Sequence, residues 1–235
     1  VSYFPSVQKL GPGLERIYFA GGEPMLQPLV KETLARLLES RREDLAVAFN
    51  TNLTVVDPGL LDLMGRFRQV EIYGSVDGIG LAAEYLRYPS QWPAVAANLL
   101  ALKQAGAHVA LSFLAQLANP HSLAKLALWL AASPVLADVP IRVNFLTGPE
   151  FLRLDLLPAG MRAGVKAALR DAMGEERMLA ENREALAQVA RYLDGPPSPE
   201  ADFRLRQFRE YTAFMDARRG LDFRRAFPQM AGLLS

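Results

Sequence analysis

Cysteine is absent from the 235 residues, and histidine occurs only twice. Disulfides, thiolate metal sites and cysteine nucleophiles are therefore excluded within this chain, and two histidines do not build a histidine-rich zinc centre. A dominant charge is missing too. The 26 basic and 25 acidic side chains leave a formal net charge of +1, so no global field selects nucleic acid or an anionic membrane as a partner. Long apolar runs are also lacking: the richest, Leu123 to Ala132, contains a lysine and falls short of the ~20 residues that span a bilayer. No signal peptide is visible, and the expected setting is the cytoplasm. A GxxxxGK phosphate loop and a Ser-His-Asp set are absent as well. What remains is a globular composition, 51% hydrophobic, with enough apolar material for one large domain or a domain with an appendage.

Apolar stretches at Arg16 to Ala20, Leu45 to Asn50, Val70 to Val76, His108 to Leu114 and Ile141 to Phe145 have the length of strands. Between them, helical periods run near Gln27 to Ser40, Pro58 to Phe67, Trp92 to Ala105 and Ser122 to Ala132. This βα alternation predicts an α/β fold with parallel strands, each buried on both faces beneath outer helices. Ser90 is a candidate cap before Trp92, and Gly106 a candidate stop after Ala105. Beyond Pro149 the pattern turns helical: Ala159 to Met173, Glu176 to Leu193, the stiff break Gly195-Pro196-Pro197-Ser198-Pro199, then a charged helix from Ala201 to Arg219.

Ligands of parallel α/β proteins bind beyond the carboxyl ends of the strands, so the residues that follow each strand matter most. The first strand runs into Gly21-Gly22-Glu23-Pro24, where two glycines permit a sharp turn, the glutamate offers a fixed negative charge and the proline suits the first turn of a helix. The second ends in Asn50-Thr51-Asn52 and the third in Ser75-Val76-Asp77-Gly78; Gln116 and Asn119 follow the fourth, and Asn144 and Thr147 lie at the fifth. Asn, Asp and Ser commonly cap turns, and each of these taken alone reads that way. Together they offer hydroxyl and amide groups suited to a sugar and a carboxylate suited to an amine, so a polar, adenosyl-like metabolite is the expected ligand.

These residues, in this order, resemble the radical S-adenosylmethionine superfamily, and within it the members with a twitch, or shortened SPASM-type, extension. Gly21-Gly22-Glu23-Pro24 resembles the turn that receives the methionine ammonium, Asn50-Thr51-Asn52 the threonine-asparagine motif, and Ser75-Val76-Asp77-Gly78 the serine-x-aspartate-glycine motif near the ribose. In Glu84-Tyr85-Leu86-Arg87, the arginine stands where the family receives the methionine carboxylate, a task that suits a guanidinium fork. Gln116 with Asn119, Pro149 through Leu157-Pro158, Met215-Asp216-Ala217-Arg218-Arg219 and Phe227-Pro228 are also similar to twitch members, so the likeness extends over roughly residues 14 to 235. The resemblance implies a partial (βα)6-type barrel lacking its first unit, with a core at residues 1–149 and a helical extension at 150–235. It implies S-adenosylmethionine as cofactor, with Gly21, Gly22, Glu23, Pro24, Asn50, Asn52, Ser75, Asp77, Arg87 and Asn119 around it. The implied reaction is reductive cleavage to a 5'-deoxyadenosyl radical that abstracts hydrogen from a peptide, protein or small-molecule substrate, with an external electron donor.

One departure is large. The family holds a 4Fe-4S cluster on three cysteines in a CxxxCxxC loop, and thiolates are needed to hold it. That loop follows a strand upstream of the glycine-rich turn. Because the chain starts at Val1, a few residues before its first strand, a missing upstream piece is the expected reason for both absences. The extension also lacks cysteines, so no auxiliary cluster is expected. The chain alone should be inactive. The competing reading is a cluster-free module that binds S-adenosylmethionine or a nucleoside, and a third is an unrelated α/β barrel enzyme acting on a polar metabolite. His108 and His121 read as structural or solvated, and Tyr85, Tyr88 and Trp92 as core before substrate wall. The basic tail is interleaved with Asp202, Glu210, Asp216 and Asp222, as on a solvated helix face.

Overall fold

The computed structural model describes residues 13–235. Residues 1–12, part of the expected core at 1–149, lie outside the described residues. Five strands are ordered β1-β2-β3-β4-β5 as they occur in the chain: β1 (Arg16–Phe19), β2 (Ala46–Thr51), β3 (Gln69–Ser75), β4 (His108–Ala115) and β5 (Ile141–Phe145). The pairs β1–β2, β2–β3 and β4–β5 are parallel. Helices separate the strands, and further helices follow β5, which makes the chain an α/β protein with a helical C-terminal part. It divides into two compact units. One comprises the residues up to Ser75 with Pro93–Ala110, the other Val76–Trp92 with Leu111–Ser235.

In the first unit, β1 to β3 carry α1 (Pro28–Glu39) and α2 (Pro58–Met64), which pack on each other. Val30, Leu34, Leu37 and Leu38 recur at helical spacing along one stripe of α1 and are buried, each worth roughly 1.5–3 kcal/mol of apolar burial. Register places Phe19 beside Phe49, with rings stacked 5.1 Å apart, and Phe49 beside Ile72. The neighbouring rows carry Tyr18, Ala48 and Glu71 to the opposite face.

That opposite face corrects the expectation of strands buried on both sides. Tyr18 is 50% exposed, and β3 alternates half-buried with buried residues along its length. Arg16 donates to Glu71 at 2.7 Å, and the Tyr73 hydroxyl donates to the same carboxylate at 2.9 Å. Charged and phenolic groups that satisfy one another at a wet surface do not need the apolar cover that a two-sided strand requires.

In the second unit, β4 from Leu111 onward pairs with β5, so that Leu111 faces Ile141 and Phe113 faces Val143. Between these strands runs α5 (Pro120–Ala132), and after β5 come α6 (Ala159–Met173) and α7 (Ala180–Tyr192). α5 packs on α6 and α7, and α7 packs on β5. Leu123, Leu126, Ala127 and Leu130 of α5 are fully buried. Arg162 of α6 is also buried, and its guanidinium donates to the carbonyls of Asp155, Leu157, Leu193 and Gly195. Carbonyl dipoles thus replace its hydration shell and close the C-terminal end of α7.

Several boundaries differ from the sequence reading. Pro24 opens a single 3-10 turn, Pro24–Leu26, and the helix proper starts at Pro28, whose missing N–H costs nothing at that position. α3 (Leu81–Leu86) was not foreseen. α4 (Trp92–Gln104) starts where expected, but the Trp92 N–H donates to Glu84 Oε1 at 3.0 Å, so Glu84 supplies the acceptor that Ser90 was expected to provide. Gly106, at φ 85°, ends the helical run as expected. The helix read from Glu176 begins only at Ala180: the preceding turn is held by Arg183, which donates to the carbonyls of Met173, Glu175 and Glu176. α8 spans Ala201–Arg219 as read, and its charged surface conceals a buried row, Leu205, Phe208 and Thr212. A short α9 (Phe223–Ala226) follows, with the Asp222 side chain accepting from Arg224 N and Arg225 N.

Candidate functional site

In the first unit, the turn after β1 uses glycine at two left-handed positions, Gly21 at φ 92° and Gly22 at φ 57°. A Cβ on Gly21 would meet nothing within 4 Å, so the requirement there is conformational rather than steric. The turn delivers Glu23 to three donors. Its Oε1 accepts from Met25 N at 3.2 Å and from the Thr51 hydroxyl at 2.7 Å, while Oε2 accepts from Asn52 N at 2.7 Å. A carboxylate offers about four lone-pair sites, so this anchoring fixes the charge and leaves acceptor capacity for a ligand donor. Glu23 is only half-buried.

The end of β2 is built to make that contact. Asn52 Oδ1 accepts from Thr54 N at 2.9 Å and from the Thr54 hydroxyl at 2.6 Å, an Asx-type turn. Leu53 adopts φ 61°, an uncommon conformation for a leucine. Three features hold it there: its N–H donates to Thr51 Oγ1, its carbonyl accepts from Asn98 Nδ2 at 2.8 Å, and its side chain is fully buried. Thr51 is therefore central, although within the Asn50-Thr51-Asn52 motif the sequence reading expects only the two asparagines around the cofactor. A threonine between asparagines at a strand end was the available signal. The Asn50 side chain is exposed, and neither Asn50 nor Ser75 makes a side-chain hydrogen bond among the described residues.

In the second unit, Asp77, Arg87 and Asn119 come together. Arg87 pairs with Asp77 Oδ2 at 2.8 Å, and Asp77 Oδ1 accepts from Leu114 N at 2.9 Å. Asn119, 0% exposed, donates from Nδ2 to the carbonyls of Asp77 and Leu114, and its Oδ1 accepts from Gln116 N. One carboxamide thus ties the turn after β4 to the turn after β3. Gly78 eases the packing there, because a Cβ would lie 3.1 Å from Ala83 N and 3.2 Å from Ala82 C and would push on the backbone at the start of α3. The Arg87 Nε is buried and has no hydrogen-bond partner among the described residues. An orphaned cationic donor of this kind is costly, and it suits a site completed by an anionic group.

Tyr85 lies one turn from these residues, edge-on to Phe223 and Phe227. Burial first, and then the Asp216 carboxylate, push its hydroxyl far above the ordinary tyrosine range, so it remains a proton donor at all ordinary pH. His121 is shifted the other way: burial, aided by Lys125, lowers its pKa. Among the described residues, no group of three or more His, Asp or Glu side chains is arranged to hold a metal ion. Nor is any helix among them long and apolar enough to cross a membrane.

No family model matches the chain, and no curated protein matches it either. Among solved structures, it is similar to a domain of pyruvate-formate lyase-activating enzyme from Bacteroides vulgatus ATCC 8482, with a TM-score of 0.48 and 12% identity. The match covers 78% of this chain and 98% of that one.

Proposed function

We propose that this chain is the S-adenosylmethionine-holding part of a radical S-adenosylmethionine enzyme with a twitch-type helical extension. The observation that carries the proposal is the fixed carboxylate of Glu23, anchored by three donors beside a left-handed diglycine turn. That arrangement suits an ammonium group, which needs a pre-oriented anion. Arg87, with its orphaned Nε, is assigned the methionine carboxylate, and Ser75 and Asp77 the ribose. Gly21, Gly22 and Pro24 shape the ammonium turn, and Asn50 and Asn52 border it. Asn119, with its side-chain hydrogen bonds already given to the protein, serves by holding the loop that orients Asp77.

The residues present suit the adenosylated amino acid but not an iron–sulfur cluster, because the chain contains no thiolate. In a protein that also held a reducing cluster, one electron would cleave the bound cofactor into methionine and a carbon-centred radical, which would take hydrogen from a peptide, protein or small molecule. This chain's own contribution is to bind the cofactor, orient it and exclude water. The missing thiolates also support a second reading, a cluster-free module that retains only the binding function.

Calorimetric titration with S-adenosylmethionine and with adenosine tests the assignment. Replacing Glu23 by Gln keeps the shape and removes the charge; it should weaken S-adenosylmethionine by about tenfold or more, the worth of one charge-assisted hydrogen bond, and leave adenosine unaffected. Unchanged affinity for S-adenosylmethionine in E23Q overturns the ammonium role.

A further inference from the structure

The second unit contains a cavity of about 110 Å³ between the Tyr85 end of α3, the turn after β4 and the inner face of α8. Its walls have two characters. Leu152, Phe208, Met215 and Phe223 supply an apolar body, while Gln116, Thr212 and Arg219 supply polar groups at its edge. Gln116 is 8% exposed and Thr212 2%, yet neither side chain makes a hydrogen bond among the described residues. The sealed side-chain atoms without a partner among the described residues are Arg87 Nε and Asp216 Oδ1, so the Gln116 amide and the Thr212 hydroxyl are not sealed in the core and keep hydrogen-bonding capacity for a ligand at the cavity wall. Arg219 stacks on the Tyr88 ring, with its guanidinium carbon 5.2 Å from the centroid, and forms no ion pair among the described residues. Among the described residues no carboxylate side chain lines the cavity; Asp216 lies behind one wall, where it acts on the Tyr85 hydroxyl.

We infer that this cavity binds a small aliphatic carboxylate: Arg219 takes the anionic head, Gln116 and Thr212 complete its hydrogen bonds, and the apolar wall holds a short branched tail. A cavity of about 110 Å³ suits a ligand the size of one amino-acid side chain with its acid group. Mixed lining of this sort, mostly apolar with a few convergent polar groups, is the usual composition of a small-ligand site. None of Gln116, Thr212 or Arg219 is assigned to the adenosylated cofactor above, so the two proposals stand or fall separately.

Met215 provides the reporter. With the methionine methyl groups carbon-13 labelled, isovalerate is titrated into the full chain and the Met215 methyl resonance followed; isovaleramide, equal in shape but uncharged, is the control. Saturable movement of the Met215 signal with isovalerate is expected, with isovaleramide binding at least about tenfold more weakly, the worth of a charged head paired with arginine. R219Q should erase that preference, and R219K should restore part of it. T212V should weaken both ligands. The other methionine methyl signals verify that each variant is folded. No saturable change at Met215 with either probe, or a folded R219Q that keeps the full preference for isovalerate, overturns the inference.

Discussion

Three main-chain groups depend on the Asn119 carboxamide: the carbonyls of Asp77 and Leu114 and the N–H of Gln116. Asn119→Ala leaves all three buried without that partner, and at roughly 1 kcal/mol for each hydrogen bond the loss should be about 3 kcal/mol, read as a lower urea midpoint with an unchanged slope. Asn119→Asp keeps one acceptor but turns a charged oxygen toward the Asp77 and Leu114 carbonyls at a fully buried position, so at neutral pH it should be no more stable than Asn119→Ala. An Asn119→Ala protein as stable as the parent would show that these contacts carry no net energy. From sequence, Asn119 was expected among the cofactor residues; its type said that it would bond, and nothing in a linear string said to what. Thr51 makes the same point in reverse. Its hydroxyl accepts from Leu53 within its own turn and donates to Glu23, and the second contact exists only once two strand ends lie side by side.

At the start of β5, a helix completes a strand. Asn182 of α7 is buried; its Oδ1 accepts from Ile141 N at 2.7 Å and its Nδ2 donates to the Val139 carbonyl at 3.0 Å, as a neighbouring strand would. Asn182→Leu keeps the bulk and removes both bonds. The expected cost is about 2–4 kcal/mol, accompanied by faster hydrogen exchange at the Ile141 amide and little change at the Val143 amide. Equal protection of Ile141 in parent and variant would refute this role. Helices and strands themselves were largely readable, because apolar spacing at Val30, Leu34, Leu37 and Leu38 or along Leu123, Leu126 and Leu130 reflects burial on one face. The short elements escaped. α3, six residues long, has no room for a period, and its start depends on Gly80 at φ 59°, a conformational cue and not a compositional one. The open face of β1 and β3 escaped as well, since the apolar run from Ile17 to Ala20 conceals that Tyr18 points to water.

Stability of the whole chain should follow pH in two steps. His121 has a folded pKa lowered by burial and by Lys125, so the unfolded chain binds more protons near pH 6. Its contribution is complete above its ordinary value of 6.5 and is lost as pH falls below it. A second loss comes at lower pH. Asp44 beside Arg42, Asp57 beside Lys31 and Glu184 beside Arg191 have lowered pKa values, and at Glu71 burial opposes the shift while Tyr73 and Arg16 outweigh it. These carboxylates stabilise the fold above their ordinary range and cease to do so as pH falls through their folded values. Melting temperatures measured between about pH 8 and pH 5.5 should fall in the parent and fall less in His121→Gln; an identical slope in both would remove His121 from the account. Formal charge near neutrality and the βα order were legible from composition and spacing, whereas two of the ion pairs that shape this profile, Lys31 with Asp57 and Arg16 with Glu71, join residues far apart in the chain. The unusual backbone of Leu53 has one further outcome. Asn98 grips its carbonyl, its amide grips Thr51, and Thr51 grips Glu23, so a relay of three contacts runs from a helix to the acid at the diglycine turn. An engineer wishing to soften or stiffen that acid has an indirect dial at position 98, three contacts removed from it.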